Sequence, residues 1–141
     1  MLQQPRVLFV TGSGPETDRV WEFLEKHTAL TAAGSIPKLR SLIRKTHYDV
    51  LFCLPLSPAG SWGDVLELVE EEAPGLPVIV LSSPGNERDW LEALDVGVFD
   101  WLTLPVLPQS LLAIVEQAAA SREARARWTG TLPAALHSGL S

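Results

Sequence analysis

The sequence of 141 residues predicts an α/β fold, a doubly wound parallel β-sheet made of five strand-helix units. Continuous apolar runs at 6–10, 50–54 and 78–81 predict strands that are covered on both faces, as the strands of parallel sheets are. Stretches with helical spacing of apolar residues lie between these runs and supply the crossovers that parallel strands need. The length suits one globular domain that buries roughly two-thirds of its unfolded surface.

The first two units alternate in this way. "RVLFV" at 6–10 predicts the first strand, and a weaker strand is expected at 29–33. The helices that follow these strands repeat apolar residues at the spacing of one helical face. The positions are Val20, Phe23, Leu24 and His27 in the first helix, and Ile36, Leu39, Leu42 and Ile43 in the second.

The third and fourth strands have the most uniform apolar runs. "VLFCL" at 50–54 predicts the third strand and "VIVL" at 78–81 the fourth. Val65, Leu66 and Val69 mark the helix between them.

The C-terminal units are bounded by glycine and proline. "ERDWLEALDVG" predicts a short fourth helix that ends at Gly97, and "VFDWLTL" predicts a last strand stopped by Pro105. "PQSLLAIVEQAAASREARARW" predicts a final helix that begins at Pro108, a residue favoured in the first helical turn. After Trp128 the composition changes, and we expect a loose tail or linker.

Composition and charge argue against several classes of function. The formal net charge of -6 disfavours direct nucleic-acid binding, although Arg122, Arg125 and Arg127 form a local basic cluster. No apolar stretch reaches the ~20 residues of a membrane span, and the N-terminal residues lack a signal-peptide pattern, so we expect a cytoplasmic protein without membrane contact. The single cysteine, Cys53, cannot form a disulfide within one chain and is expected in the core.

Several motifs together resemble the bacterial response-regulator receiver domain. "YDVLF" opens the third strand, Pro58 lies four residues beyond Leu54, and "LPVIVLSS" supplies the fourth strand. The most specific motif is "GVFDWLTLPV", which has family spacing at Gly97, Asp100, Trp101 and Pro105. The match extends from about Arg6 to Ala120. It implies a flavodoxin-like fold with strand order 2-1-3-4-5 and a role in signal transduction by two-component systems.

The residues at the phosphorylation-site positions depart from the family pattern. In the family an acidic pair after the first strand holds Mg²⁺ and an aspartate at the end of the third strand accepts phosphate. A lysine directly before the proline of the loop after the fifth strand neutralises the phosphate. Here these positions are Thr11 and Gly12, Leu54, and Leu104. Mg²⁺ prefers carboxylate oxygens, and leucine is not a nucleophile. The chain therefore resembles a pseudo-receiver with no cofactor, no metal and no catalytic residue.

Two residues remain at the positions that the family uses as a switch. Ser82 stands where the family has Ser or Thr, but the turn residues after it also suit a turn-forming hydroxyl. Trp101 stands at the aromatic position and either packs in the core or faces a partner. Asp49 is expected to cap or orient the entry to the third strand.

Large apolar residues are concentrated around the fourth helix, the last strand and the last helix. They are Trp90, Trp101, Val106, Leu111, Leu112 and Val115. Since Leu111, Val115 and Ala118 supply the stripe that covers the sheet, Leu112 is expected at its edge. The family uses this face for dimerisation and docking. We therefore expect a protein partner or a second copy of the chain there, with Trp101, Val106 and Leu112 as contact candidates.

Two functions stay open. The first is a signalling module that is not an enzyme and binds another protein, or itself, without phosphorylation. The alternative is a small-molecule or nucleotide-binding domain that uses the loop from Thr11 to Pro15 beside Ser82 and Ser83; an open pocket above Leu54 would favour it. In either case we expect a receiver-like domain at 5–121 and a helix extension and tail or linker at 122–141.

Overall fold

Five parallel strands form the central sheet of the structure, a computed structural model that describes residues 4–12, 14–85 and 88–131. They are β1 Arg6–Val10, β2 Ala29–Ala33, β3 Val50–Cys53, β6 Val78–Ser82 and β7 Asp100–Thr103. Their order is β2-β1-β3-β6-β7, and two short strands between β3 and β6, β4 Leu56–Ser57 and β5 Gly60–Ser61, form a separate hairpin. This confirms the expected flavodoxin-like order 2-1-3-4-5.

In the described part of the chain, four helices connect the strands of the sheet and a fifth follows the last strand. They are α1 Pro15–His27, α2 Ile36–Lys45, α3 Trp62–Glu72, α4 Trp90–Val96 and α5 Pro108–Thr131. Ser61 and Asp64 form a capping box at the start of α3, where each side chain accepts a hydrogen bond from the other residue's backbone N–H. Gly97 ends α4 with a φ of 122°, a conformation that favours glycine.

Successive side chains of each strand point to opposite faces of the sheet, so the core has two layers. Phe9 and Phe52 point to the layer covered by α1 and α5, and their rings stack with centroids 6.2 Å apart. Leu8, Leu51 and their neighbours point to the opposite layer, covered by α2, α3 and α4. Because successive side chains of a strand face opposite sides, a strand of uniformly apolar residues fills both layers at once.

The third strand ends one residue earlier than the sequence indicates. β3 stops at Cys53, and Leu54 lies in the turn that follows. The chain then forms a hairpin of two-residue strands, β4 Leu56–Ser57 and β5 Gly60–Ser61, before α3 begins. Strands this short have no periodicity, so the sequence did not predict them.

The last helix is longer than predicted. α5 continues through Thr131, past the change of composition at Trp128, and the remaining residues of the expected tail lie outside the described part of the chain. Arg122 on α5 donates from Nε to the carbonyl oxygen of Tyr48 at 2.7 Å. No helix in the described ranges is long and apolar enough to cross a membrane.

The predicted roles of Asp49 and Cys53 agree with their positions. The Asp49 carboxylate accepts a hydrogen bond from the backbone N–H of Arg6 at 2.8 Å, so it joins the beginnings of β1 and β3. Cys53 is buried in the core, and burial raises the pKa of its thiol to about 12.

Candidate functional site

The carboxyl ends of four strands meet at one edge of the sheet, the edge at which doubly wound folds bind ligands. Gly12 lies two residues after β1, Leu54 follows β3, Ser82 ends β6 and Leu104 follows β7. The fold therefore brings together the phosphorylation-site positions that the resemblance implies.

Leu54 occupies the space beside Gly12. A Cβ atom built on Gly12 would overlap Leu54 Cδ1 and would lie 3.2 Å from Leu54 Cγ. A side chain that carries a carboxylate at position 12 would need Leu54 to move. Leu54 in its present position and an acidic residue at 12 therefore exclude each other.

The other phosphorylation-site positions at this edge, Thr11, Ser82 and Leu104, offer no free reactive group. The backbone N–H and the hydroxyl of Thr11 both donate to the carbonyl of Ala33, at 3.0 and 3.4 Å. Ser82 is fully buried, and its hydroxyl donates to the carbonyl of Ser83 at 3.0 Å. Leu104 is buried and puts an apolar side chain where a receiver has a cation. Its backbone N–H donates to the carbonyl of Ser82 at 2.7 Å.

This edge does not fit Mg²⁺. The ion prefers oxygen ligands, usually including carboxylates. Neither Gly12 nor Leu54 has a side-chain oxygen, and the Thr11 hydroxyl is directed at β2. Within residues 4–12, 14–85 and 88–131, no group of three or more His, Cys, Asp or Glu side chains could hold a metal ion.

A cleft of about 600 Å³ opens above Leu54. Its lining contains apolar side chains from three strand ends and polar residues from the loop before α4. The lining residues are Thr17, Leu54, Pro55, Leu56, Leu81, Ser83, Gly85, Arg88, Asp89 and Leu104. No described residue of the loop from Thr11 to Pro15 lines this cleft. The described part of this loop, which the sequence analysis named for small-molecule or nucleotide binding, therefore does not contribute to the cleft.

Trp101 is buried, which corrects the expectation that it could anchor a partner on the surface. Its side chain is only 6% exposed and packs edge-to-face on Trp62, with ring centroids 6.2 Å apart. Alternation along β7 places it in the core layer beneath α3 and α4. Its indole Nε1 has no hydrogen-bond partner among the described residues.

Large exposed apolar side chains lie on α4, on the hairpin at Leu56 and before α5 at Leu107. Trp90, Leu91 and Val96 are exposed, Leu91 by 73%. Val106 and Leu112 are half-buried, and Val106 lines a separate groove of about 200 Å³ between α1 and the start of α5. The sequence analysis named Trp90 but missed Leu91 and Val96. The sequence could have shown this, because a helix of seven residues with this many apolar side chains cannot bury all of them on one face.

The sequence comparisons give two relatives, a response regulator and a transcriptional regulatory protein, and no protein-family model matches. Over 75 residues, 53% of this chain, the sequence is 28% identical to the response regulator protein PilR of Pseudomonas aeruginosa, and the match covers 17% of that protein. Over 70 residues, 48% of this chain, it is 30% identical to the phosphate regulon transcriptional regulatory protein PhoB of Klebsiella pneumoniae, of which 31% is covered. The chain therefore spans less than a third of the length of these curated relatives.

Comparison with solved structures identifies the fold. The chain is similar to a response regulator receiver domain protein from Clostridium thermocellum, with a TM-score of 0.74 and 22% identity. The similarity covers 84% of this chain and 97% of that one. The fold is thus that of response-regulator receiver domains.

Proposed function

We propose that this chain is a signal-transduction module of the receiver type that acts through protein contacts and accepts no phosphoryl group. The observation that carries the proposal is the packing of Leu54 against Gly12. It places an apolar side chain where a receiver has its acceptor, in the space that a metal-binding carboxylate would need.

The proposal follows from how phosphoryl transfer is catalysed. The reaction depends on positioning and on neutralising charge at the transferred group. Leu54 has no nucleophilic oxygen, Leu104 has no charge, and Gly12 has no metal ligand. Since these parts act together, the loss of all three leaves no partial mechanism, and we propose that the chain is not an enzyme.

The surface that supports protein contacts is α4 together with β7 and α5. Three of the seven residues of α4 expose large apolar side chains, and a partner that contacts this helix would remove apolar area from water. We propose another signalling protein or a second copy of the chain as that partner. Leu91 replaces Trp101 as the expected anchor because Trp101 is in the core.

Incubation with a phosphoryl donor tests the proposal. The chain is treated with acetyl phosphate and Mg²⁺ and examined by intact mass, and with beryllofluoride and Mg²⁺ and examined by ¹H–¹⁵N NMR. We expect no adduct and an unchanged spectrum, while an active receiver domain treated in parallel gives both signals. A stoichiometric adduct on any residue would refute the proposal.

A further inference from the structure

The cleft above Leu54 has the size of a small-molecule site. Its volume of about 600 Å³ lies within the range of roughly 300–1,000 Å³ that is typical of such sites. It opens at the carboxyl ends of β3, β6 and β7, so rigid strands set the positions of its floor.

The floor of the cleft contains apolar side chains, whereas most of the exposed lining of the cleft is polar. Leu54, Leu81 and Leu104 come from three neighbouring strand ends, and Pro55 and Leu56 extend the apolar wall into the hairpin. Leu56 is 75% exposed, so protein atoms cover little of this wall. A ligand with an apolar body would displace water from Leu54, Pro55 and Leu56, because Leu81 and Leu104 are already buried.

The rim of the cleft carries one cation that is not engaged. Asp89 accepts a hydrogen bond from Trp62 Nε1 at 3.2 Å, so its carboxylate already has a role in holding the loop before α4. Arg88 is exposed and has no ion-pair partner among the described residues. A guanidinium at the mouth of this cleft pairs with the anionic group of a ligand whose apolar body contacts Leu54, Pro55 and Leu56.

We propose that this cleft binds a small amphipathic molecule with an aromatic or branched apolar body and a single anionic group, such as a carboxylate or sulfonate, which pairs with Arg88. A nucleoside polyphosphate fits less well. Its several negative charges would meet one arginine and the carboxylate of Asp89 in this lining. The site is additional to the protein contacts proposed for α4.

Two fluorescent probes that differ by one charge test the proposal. The first, 8-anilinonaphthalene-1-sulfonate, has the aromatic body and the anion, and the second, N-phenyl-1-naphthylamine, has the same rings without the sulfonate. We expect saturable binding of both probes. Arg88→Gln should weaken binding of the sulfonate about fivefold and leave binding of the neutral probe unchanged, as expected for a partly exposed ion pair. Leu54→Phe should weaken both probes because it fills the floor.

Matched controls separate the cleft from other surfaces. Arg19→Gln removes an exposed arginine at the groove between α1 and α5, and Leu91→Asp disrupts the apolar patch of α4. Both should bind the probes like the wild type. An absence of saturable binding, or an equal loss of sulfonate affinity in Arg19→Gln or Leu91→Asp, would overturn the proposal.

NMR on the unchanged protein keeps the proposal testable even where a variant fails to fold. The sulfonate should shift backbone amides at Leu54, Ser83 and Arg88. Shifts confined to α4 would overturn the proposal. None of these measurements reports on phosphorylation or self-association. A failure to bind the probes would therefore contradict the ligand site without contradicting the proposed signalling function.

Discussion

The side chain of Leu54 covers Gly12 so closely that a Cβ atom at position 12 would overlap Leu54 Cδ1. Gly12 does not have the positive φ that only glycine adopts readily, so its lack of a side chain is required by Leu54 and not by the backbone. The two residues follow the neighbouring strands β1 and β3 and are 42 positions apart in sequence. Their fit predicts that the effects of changing Gly12 and Leu54 depend on each other.

A double-mutant cycle measures this dependence. Gly12→Ala should destabilise the fold by about 1 kcal/mol, because Leu54 must rotate away from its present position. In a Leu54→Ala background the same change should cost almost nothing, since the overlapping atoms are gone. Denaturant unfolding of the four proteins gives the coupling energy. Additive effects would show that Leu54 and Gly12 are independent.

Leu54→Asp tests whether the acceptor alone restores chemistry. We expect no phosphoryl adduct, because no metal ligand and no lysine accompany the new carboxylate. Leu54 is half-buried at an open cleft, so the carboxylate stays hydrated and the expected loss of stability is about 1–2 kcal/mol, chiefly from lost apolar contact. Leu54→Asn is the uncharged control of similar size. A much larger loss in Leu54→Asp, relieved at acidic pH, would show that position 54 is closed to water.

Trp101 offers a contrast between two substitutions. Trp101→Ala should cost about 3–5 kcal/mol, because it leaves a cavity in the core. Trp101→Phe keeps an aromatic ring against Trp62 and removes an indole N–H whose unpaired burial costs about 1–3 kcal/mol. We therefore expect Trp101→Phe to stay within about 1 kcal/mol of the wild type in thermal unfolding. Equal losses in the two variants would mean that Nε1 has a partner.

Self-association through α4 would make the strength of association sensitive to Leu91 but not to Leu56, although the two side chains are similarly exposed. Leu91→Asp should weaken association by about tenfold or more, because an interface anchor is worth roughly 2 kcal/mol. Leu56→Asp, on the hairpin, should leave association unchanged. Both variants should unfold within about 0.5 kcal/mol of the wild type. Sedimentation velocity over a range of concentrations measures the effect, and a wild type that is monomeric at every concentration would exclude the homodimer.

The thiol of Cys53 should be unreactive in the folded protein. Burial raises its pKa to about 12, so at pH 8 it is neutral as well as covered. Ellman's reagent should label it only after unfolding in guanidinium. Because the folded pKa lies above the unfolded value of 9.0, the thiol's contribution to stability is complete below about pH 9 and is lost as the pH rises towards 12. Rapid labelling of the folded protein at pH 8 would contradict this burial.

Local patterns were sufficient to predict most of the fold. Strands covered on both faces must be apolar along their length, so β1, β3 and β6 are visible as uniform runs. Pro108 and Gly97 mark helix ends because proline suits a first helical turn and glycine adopts positive φ. Positions such as Leu54 and Leu104 could be assigned to one edge from their places after strands, since parallel strands end on the same side.

Only the tertiary structure decided what those positions touch. From the sequence, Trp101 could have faced a partner or the core. The position of β7 in the sheet and the contact with Trp62 of α3 show that it faces the core. Likewise, nothing in the local sequence around Gly12 shows that Leu54 occupies the space beside it, and nothing around Arg88 shows that a cleft opens next to it. Burial and cavities depend on contacts between residues that are distant in sequence, whereas helix and strand periodicity is a property of neighbouring residues.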